Sequence, residues 1–143
     1  MFRVSYIVGA TLTTLALAAT SAVAQSPIHA TSHIIVVTLV EHGGSVPYAF
    51  DPANVQVQRG DTLRFLQSAD TPHNVRFTKE PGGAKLGGAT TGPYLVAKGQ
   101  KYDLVIDSRF VDGNYTFVCD PHEAIGMHGS VTVVSTATAA GGK

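Results

Sequence analysis

The chain has 143 residues, with ten Lys and Arg balancing ten Asp and Glu, 44% hydrophobic residues, no tryptophan and a single cysteine. Balanced charge gives no reason to expect nucleic acid or an anionic membrane as partner. One cysteine excludes an internal disulfide framework, so that residue is an intermolecular partner, an inert thiol or a ligand.

Arg3, an apolar stretch around Ile7 to Ala19, and Ala22-Val23-Ala24 before Gln25 read as a secretory signal ending in an A-x-A cleavage site. An uncleaved membrane anchor is the alternative, but Thr11, Thr13 and Thr14 interrupt a stretch already short for a span of about 20 apolar residues. The residue directly after the cut is Gln25 and not a cysteine that could carry a lipid. Removing 24 of 143 residues leaves 119, nine Lys and Arg against ten Asp and Glu, enough for one core and not for two. The predicted organisation is a signal peptide at 1–24, a flexible lead at 25–31, one β domain at 32–135 and a flexible tail at 136–143. The mature protein is expected to be periplasmic or secreted and monomeric.

In chain order, His33 to Val40 (HIIVVTLV) is apolar on both faces, as a central strand would be, and Val55 and Val57 then alternate with Gln56 and Gln58. Arg59-Gly60-Asp61 is a turn, after which Leu63 and Phe65 point one way and Thr62 and Arg64 the other, a pattern that predicts a hairpin. Lys79 to Gly99 carries six glycines and two prolines and reads as a long surface excursion with one short irregular strand at Tyr94 to Ala97. Tyr102, Leu104 and Ile106 alternate with Lys101, Asp103 and Val105, and Asp112-Gly113 turns the chain into Tyr115, Phe117 and Cys119 on one face. Val131 to Val134 closes the domain. Seven to eight short strands over about 100 residues argue an all-β, antiparallel Greek-key β-sandwich.

The chemistry gathers around Cys119. The strand alternation aims its sulfur inward at one end of the sandwich, Pro121 stiffens the following turn, His122 comes three residues later, and Gly126 lets the backbone bend before Met127. His73, after Pro72 in TPHNV, is 46 residues away in sequence, but a sandwich brings such ends together. Two imidazoles, one thiolate and one thioether are the ligand set of a blue-copper centre, a compromise acceptable to both the soft monovalent and the harder divalent ion. Phe117, with Pro72 and Pro121 beside the site, is expected to exclude water. Zinc would accept Cys119, His73 and His122 but gains little from Met127. A cysteine nucleophile with His122 as base lacks a third orienting group and an oxyanion partner in the sequence.

The stretch YTFVCDPHEAIGMHGSVTVV, with two residues between Cys119 and His122 and four between His122 and Met127, resembles the copper loop of the plastocyanin-like small blue copper proteins, the cupredoxins. It is most similar to the branches near pseudoazurin, amicyanin and halocyanin, and the similarity extends through FDPANVQVQRGDTLRF and TPHNV, covering about Val36 to Val134. The resemblance implies one type 1 copper ion with His73, Cys119 and His122 equatorial and Met127 axial. It also implies that the imidazoles bind through the ring nitrogen nearer the main chain, and that Asn74 stiffens the site while its backbone amide points at the sulfur. His122 would lie nearest the surface, in a small apolar patch with Pro121, Ile125 and Gly126. His29, His33 and His42 are expected to be solvated or locally bonded, and His128 to lie on the face opposite Met127. Tyr115 is either a core tyrosine or a tyrosine corner.

The function implied is a non-enzymatic one-electron carrier between redox proteins such as cytochromes or oxidase and reductase complexes. The alternatives are a copper storage or delivery protein, or the electron-accepting subunit of an oxidoreductase complex. Delivery usually wants ligands shed one by one, and beyond Met1 the chain offers only Met127. An oxidase would need an open substrate position or further copper sites that the remaining histidines do not readily build.

Overall fold

The computed structural model describes residues 31–42 and 46–135. The signal segment 1–24, most of the lead, His29, residues 43–45 and the tail 136–143 lie outside the described residues. No helix among the described residues is long and apolar enough to cross a membrane.

Among the described residues, eight strands form two four-stranded sheets. The first is ordered β2 (Tyr48–Asp51), β1 (Ile34–Glu41), β4 (Thr62–Gln67), β6 (Lys101–Val105); the second is β3 (Asn54–Gln58), β8 (His128–Val134), β7 (Gly113–Val118), β5 (Arg76–Lys79). Each strand alternates between a core face and an outer face, as the period-2 patterns demand. Val37, Leu39, Leu63, Phe65 and Leu104 from one sheet meet Val57, Phe77, Tyr115, Phe117, Val131 and Val133 from the other in a single core. The β-sandwich expected from the sequence is therefore present. β1 is central as expected, although its outer face is partly bare, with Ile34 and Val36 exposed.

Two features differ from the sequence reading. Among the described residues, β1–β4 and β3–β8 pair in parallel, so both sheets are mixed rather than wholly antiparallel. The predicted β3–β4 hairpin is also absent, because the Arg59–Asp61 turn carries the chain from one sheet to the other. Buried Asp61 secures that crossing: its carboxylate accepts the N–H of Gln58 at 2.7 Å and of His33 at 2.9 Å, while the Gly60 N–H donates to Ile106 O at 2.8 Å. Alternation tells which face of a strand is buried and not which strand lies beside it. Two strands facing each other across a core show the same pattern as two in a hairpin.

The Lys79–Gly99 segment is more than a surface excursion. It contains a 3₁₀ turn at Gly87–Thr90 and buries Leu86, Ala89 and Leu95 in the core. The expected strand at Tyr94–Ala97 reduces to one bridge, between Leu95 and His73. Tyr115 is a tyrosine corner, its hydroxyl accepting the Val111 N–H at 2.8 Å and donating to Val111 O at 2.9 Å.

Candidate metal centre

At one end of the sandwich, three segments supply the chemistry. β7 delivers Cys119, the 3₁₀ turn Asp120–Ile125 delivers His122, and the crossing from β4 to β5 delivers His73. Pro121 starts the turn at a position where a missing N–H costs nothing. Gly126 ends it in the left-handed region, φ 96°, its N–H donating to Glu123 O, so the chain reverses and β8 begins two residues later. The loop is closed by its own backbone: Cys119 N–H donates to Met127 O at 3.2 Å and Met127 N–H to His122 O at 3.1 Å. Directly beyond, β7 and β8 continue in register with Phe117 opposite Gly129. A Cβ at Gly129 would lie 2.4 Å from the Phe117 ring, so this position has no room for a side chain.

His73 is held from three sides. Its backbone exchanges two hydrogen bonds with Leu95, at 3.1 and 2.7 Å, which gives the Lys79–Gly99 segment a role the sequence did not show. Buried Gln67 donates from Nε2 to Thr71 O at 2.7 Å and Leu95 O at 3.1 Å. The Glu41 carboxylate accepts the Asp70 N–H at 3.0 Å and the Thr71 hydroxyl at 2.9 Å, fixing the loop just before the histidine.

The donors converge as these ties require. Cys119 Sγ is 3.4 Å from His73 Nδ1 and 3.4 Å from His122 Nδ1, and the two Nδ1 atoms are 3.0 Å apart. The centre of such a triangle is about 1.9 Å from each corner, close to ordinary metal–nitrogen and metal–sulfur bond lengths of about 2.0–2.3 Å. All three residues are buried, as is Met127, next along the loop. Both nitrogens that face the sulfur are the ones nearer the main chain. His73 Nε2 is buried without a hydrogen-bond partner.

The electrostatics favour a metal over a proton. Burial lowers the His73 pKa to about 4, with the neighbouring His122 adding to the effect, and burial lowers His122 as well, so both imidazoles are neutral at pH 7 with a lone pair to offer. Burial raises the Cys119 thiol, opposed by the Asn74 and His122 backbone N–H groups directed at the sulfur. A cation in the triangle would replace the thiol proton.

Asn74 is buried, its Oδ1 accepting the Asp120 N–H at 2.8 Å and its Nδ2 donating to the Asp120 carboxylate at 2.6 Å. Phe117 is packed among Phe50, Phe65 and Phe77, centroids 4.9–5.7 Å away, and so supports the Cys119 strand from within the core. Pro121, Ile125 and Gly126 are exposed around His122, itself 9% exposed against 0% for His73. His128 points outward and bonds through Nε2 to Glu123 O at 2.9 Å, apart from the donor triangle. His33 bonds to Asp61, 28 residues away in sequence, and takes no part in the donor triangle.

The matching family is described as copper binding proteins of the plastocyanin/azurin family, and its match covers residues 35–134. The chain belongs to this copper-binding family. It is 35% identical over 133 residues to a chloroplastic plastocyanin of Oryza sativa subsp. indica, covering 92% of this chain and 84% of that one. The structure of pseudoazurin from Methylobacterium extorquens AM1 superposes with a TM-score of 0.51 at 31% identity, over 70% of this chain and 74% of that one. A mutant fern plastocyanin shares the fold, with a TM-score of 0.56 at 23% identity over 70% of this chain and all of that one. The His73–Cys119–His122 cluster of this plastocyanin/azurin-family chain is a site for one type 1 copper ion.

One contributor escaped the sequence reading. Tyr48, at the start of β2, lays its ring on His122 at 4.0 Å between centroids, tilted by 30°, and meets His73 edge-on at 5.2 Å. Its alternation with Phe50 places it on the core side, but the pattern carries no signal for which imidazole it covers.

Proposed function

We propose that this protein is an exported one-electron carrier in which His73, Cys119 and His122, with Met127 as a fourth, weaker donor, would hold one copper ion. The observation that carries the reading is the convergence of two neutral imidazole Nδ1 atoms on one buried thiol, with 3.4, 3.4 and 3.0 Å between them. Bound copper supplies a reversible step between monovalent and divalent states for which this mixed nitrogen and sulfur set suits both.

The chain's own residues do the rest. Cys119 would release its proton to solvent and hold the ion as a thiolate. Leu95, Gln67 and Glu41 hold the His73 segment, while the Cys119–Met127 and Met127–His122 backbone bonds hold the loop. Ligands fixed in this way move little between oxidation states, which keeps the reorganisation cost of each transfer small. Asn74 locks the residue after the cysteine, Phe117 backs the strand, and Pro121 shapes the turn. Electrons would cross at the His122 edge, where exposed Pro121, Ile125 and Gly126 form a small apolar rim for brief contact with another redox protein such as a cytochrome or an oxidase or reductase complex.

Buried, mutually tied ligands argue against a delivery role, in which donors are shed one at a time. The same reading takes 1–24 as a signal removed on export to the periplasm or beyond, 32–135 as the copper domain, and the monomer as the working form. The test is stopped-flow mixing of the reduced, copper-loaded mature protein with oxidised c-type cytochrome. Rapid equimolar electron exchange with the appearance of blue colour is expected; copper that stays fixed in one oxidation state would refute the carrier role.

A further inference from the structure

The two halves of the site are joined by a polar network that takes no part in ligation. Asp120 directly follows Cys119, and its carboxylate accepts one hydrogen bond from Asn74 Nδ2 and an ion-paired one from Arg76 Nε. A second nitrogen of the same guanidinium, Nη2, donates to Glu123 Oε2 at 2.9 Å. Arg76 is the first residue of β5, three positions after His73, whereas Asp120 and Glu123 flank the Pro121-His122 step of the turn. One planar cation therefore ties the His73 segment to both sides of His122 through two nitrogens at a fixed spacing, a hold that the single nitrogen of a lysine does not reproduce.

We propose that Arg76 and Asp120 are positioning residues that place the copper loop before the metal arrives and set the charge felt by the centre, a role that rests on the copper reading of the site. All members of the network are the protein's own atoms, so the tie exists in the metal-free chain. The charge consequence has a sign. A carboxylate next to the thiolate favours the oxidised centre, which carries one more positive charge than the reduced one, and the guanidinium offsets it.

Arg76→Gln leaves Asp120 and Glu123 without their cation and lowers the midpoint potential. Asp120→Asn keeps an acceptor for Asn74, leaves Arg76 positive and raises the potential. A network that served structure alone would loosen the site in both variants and move the potential the same way. Arg76→Lys separates the two effects, because it keeps the charge and loses the hold by two nitrogens.

The experiment pairs redox titration of the copper-loaded wild type, Arg76→Gln, Asp120→Asn and Arg76→Lys with amide hydrogen exchange on the same proteins without metal. Opposite shifts are expected for the first two variants, with Arg76→Lys close to wild type. The Asp120 N–H, held by Asn74 Oδ1, should exchange about tenfold faster in both Arg76 variants, as expected for loss of a charge-assisted hydrogen bond, while Phe65 in the core stays unchanged. Shifts of the same sign, or no shift, would overturn the charge role. Unchanged exchange at Asp120 would overturn the placing role. A wild type that binds copper without blue colour would overturn the copper reading and the charge role with it, and the metal-free exchange would still decide the tie.

Discussion

Acid should unfold the metal-free protein through its own ligands. His73 has no exposed surface, and its pKa in the folded chain is about 4 against 6.5 for a free imidazole. Between those values the unfolded chain binds a proton that the folded chain refuses, so stability falls as pH drops from 6.5 to 4 and is unaffected by this group above 6.5. At 1.36 kcal/mol per pKa unit the loss reaches about 3 kcal/mol, a large share of a typical total of about 5–15 kcal/mol. His122, lowered in the same direction, adds to the loss in the same window. The carboxylates held low by their partners, including Asp61, Asp103 and Asp120, lose their contribution only as the pH falls below the ordinary carboxylate range, so they act later. Urea unfolding at pH 7, 6, 5 and 4.5 reads the effect directly. With a denaturant slope of about 2 kcal/mol per molar, the midpoint should fall by about 1.5 M toward pH 4, and His73→Leu should reduce the slope of midpoint against pH. A midpoint that stays flat over this range, or a slope undiminished in His73→Leu, would refute the reasoning.

Other outcomes follow from the same geometry. Because the Cys119 thiol is raised by burial and both imidazoles are already neutral, loading copper at pH 7 should release about one proton, measured with an indicator in weak buffer. Met127→Leu should retain copper and raise the reduction potential, since a weak donor to the oxidised ion is removed; loss of copper would show that the axial assignment is wrong. Tyr115→Phe removes both hydrogen bonds of the tyrosine corner and leaves the Val111 N–H without its acceptor, costing about 1–3 kcal/mol in urea unfolding with no change in the copper spectrum.

The sequence reading was strongest where chemistry and pattern coincide. Cys119, His122, Gly126 and Met127 lie within nine residues, so local turn chemistry alone announces a loop that returns to its starting point, and the structure closes that loop as expected. The inward faces of Leu63, Phe65, Leu104, Ile106, Tyr115 and Phe117 were equally legible, because alternation reports burial. Strand partners were not. Two parallel ladders and the missing β3–β4 hairpin depend on how the chain crosses between sheets, which alternation does not encode. The same limit hid the support for the site. Gln67 and Leu95, which grip the His73 segment, are 28 residues apart, and the Arg76–Asp120 tie spans 44. Tyr48 lies in a short half-buried strand, and only the fold lays its ring on His122. Glycines and prolines marked Lys79–Gly99 as irregular, and only the packing of Leu86, Ala89 and Leu95 shows that it belongs to the core and buttresses a ligand.

The central claim is that one thiolate and two imidazole nitrogens share a single copper ion. The visible spectrum of the mature protein loaded with divalent copper tests it most directly. An intense blue thiolate-to-copper charge-transfer band is predicted, one equivalent of copper sufficing to saturate it and Cys119→Ser abolishing it. A colourless or merely pale product from the folded wild-type protein would contradict the account.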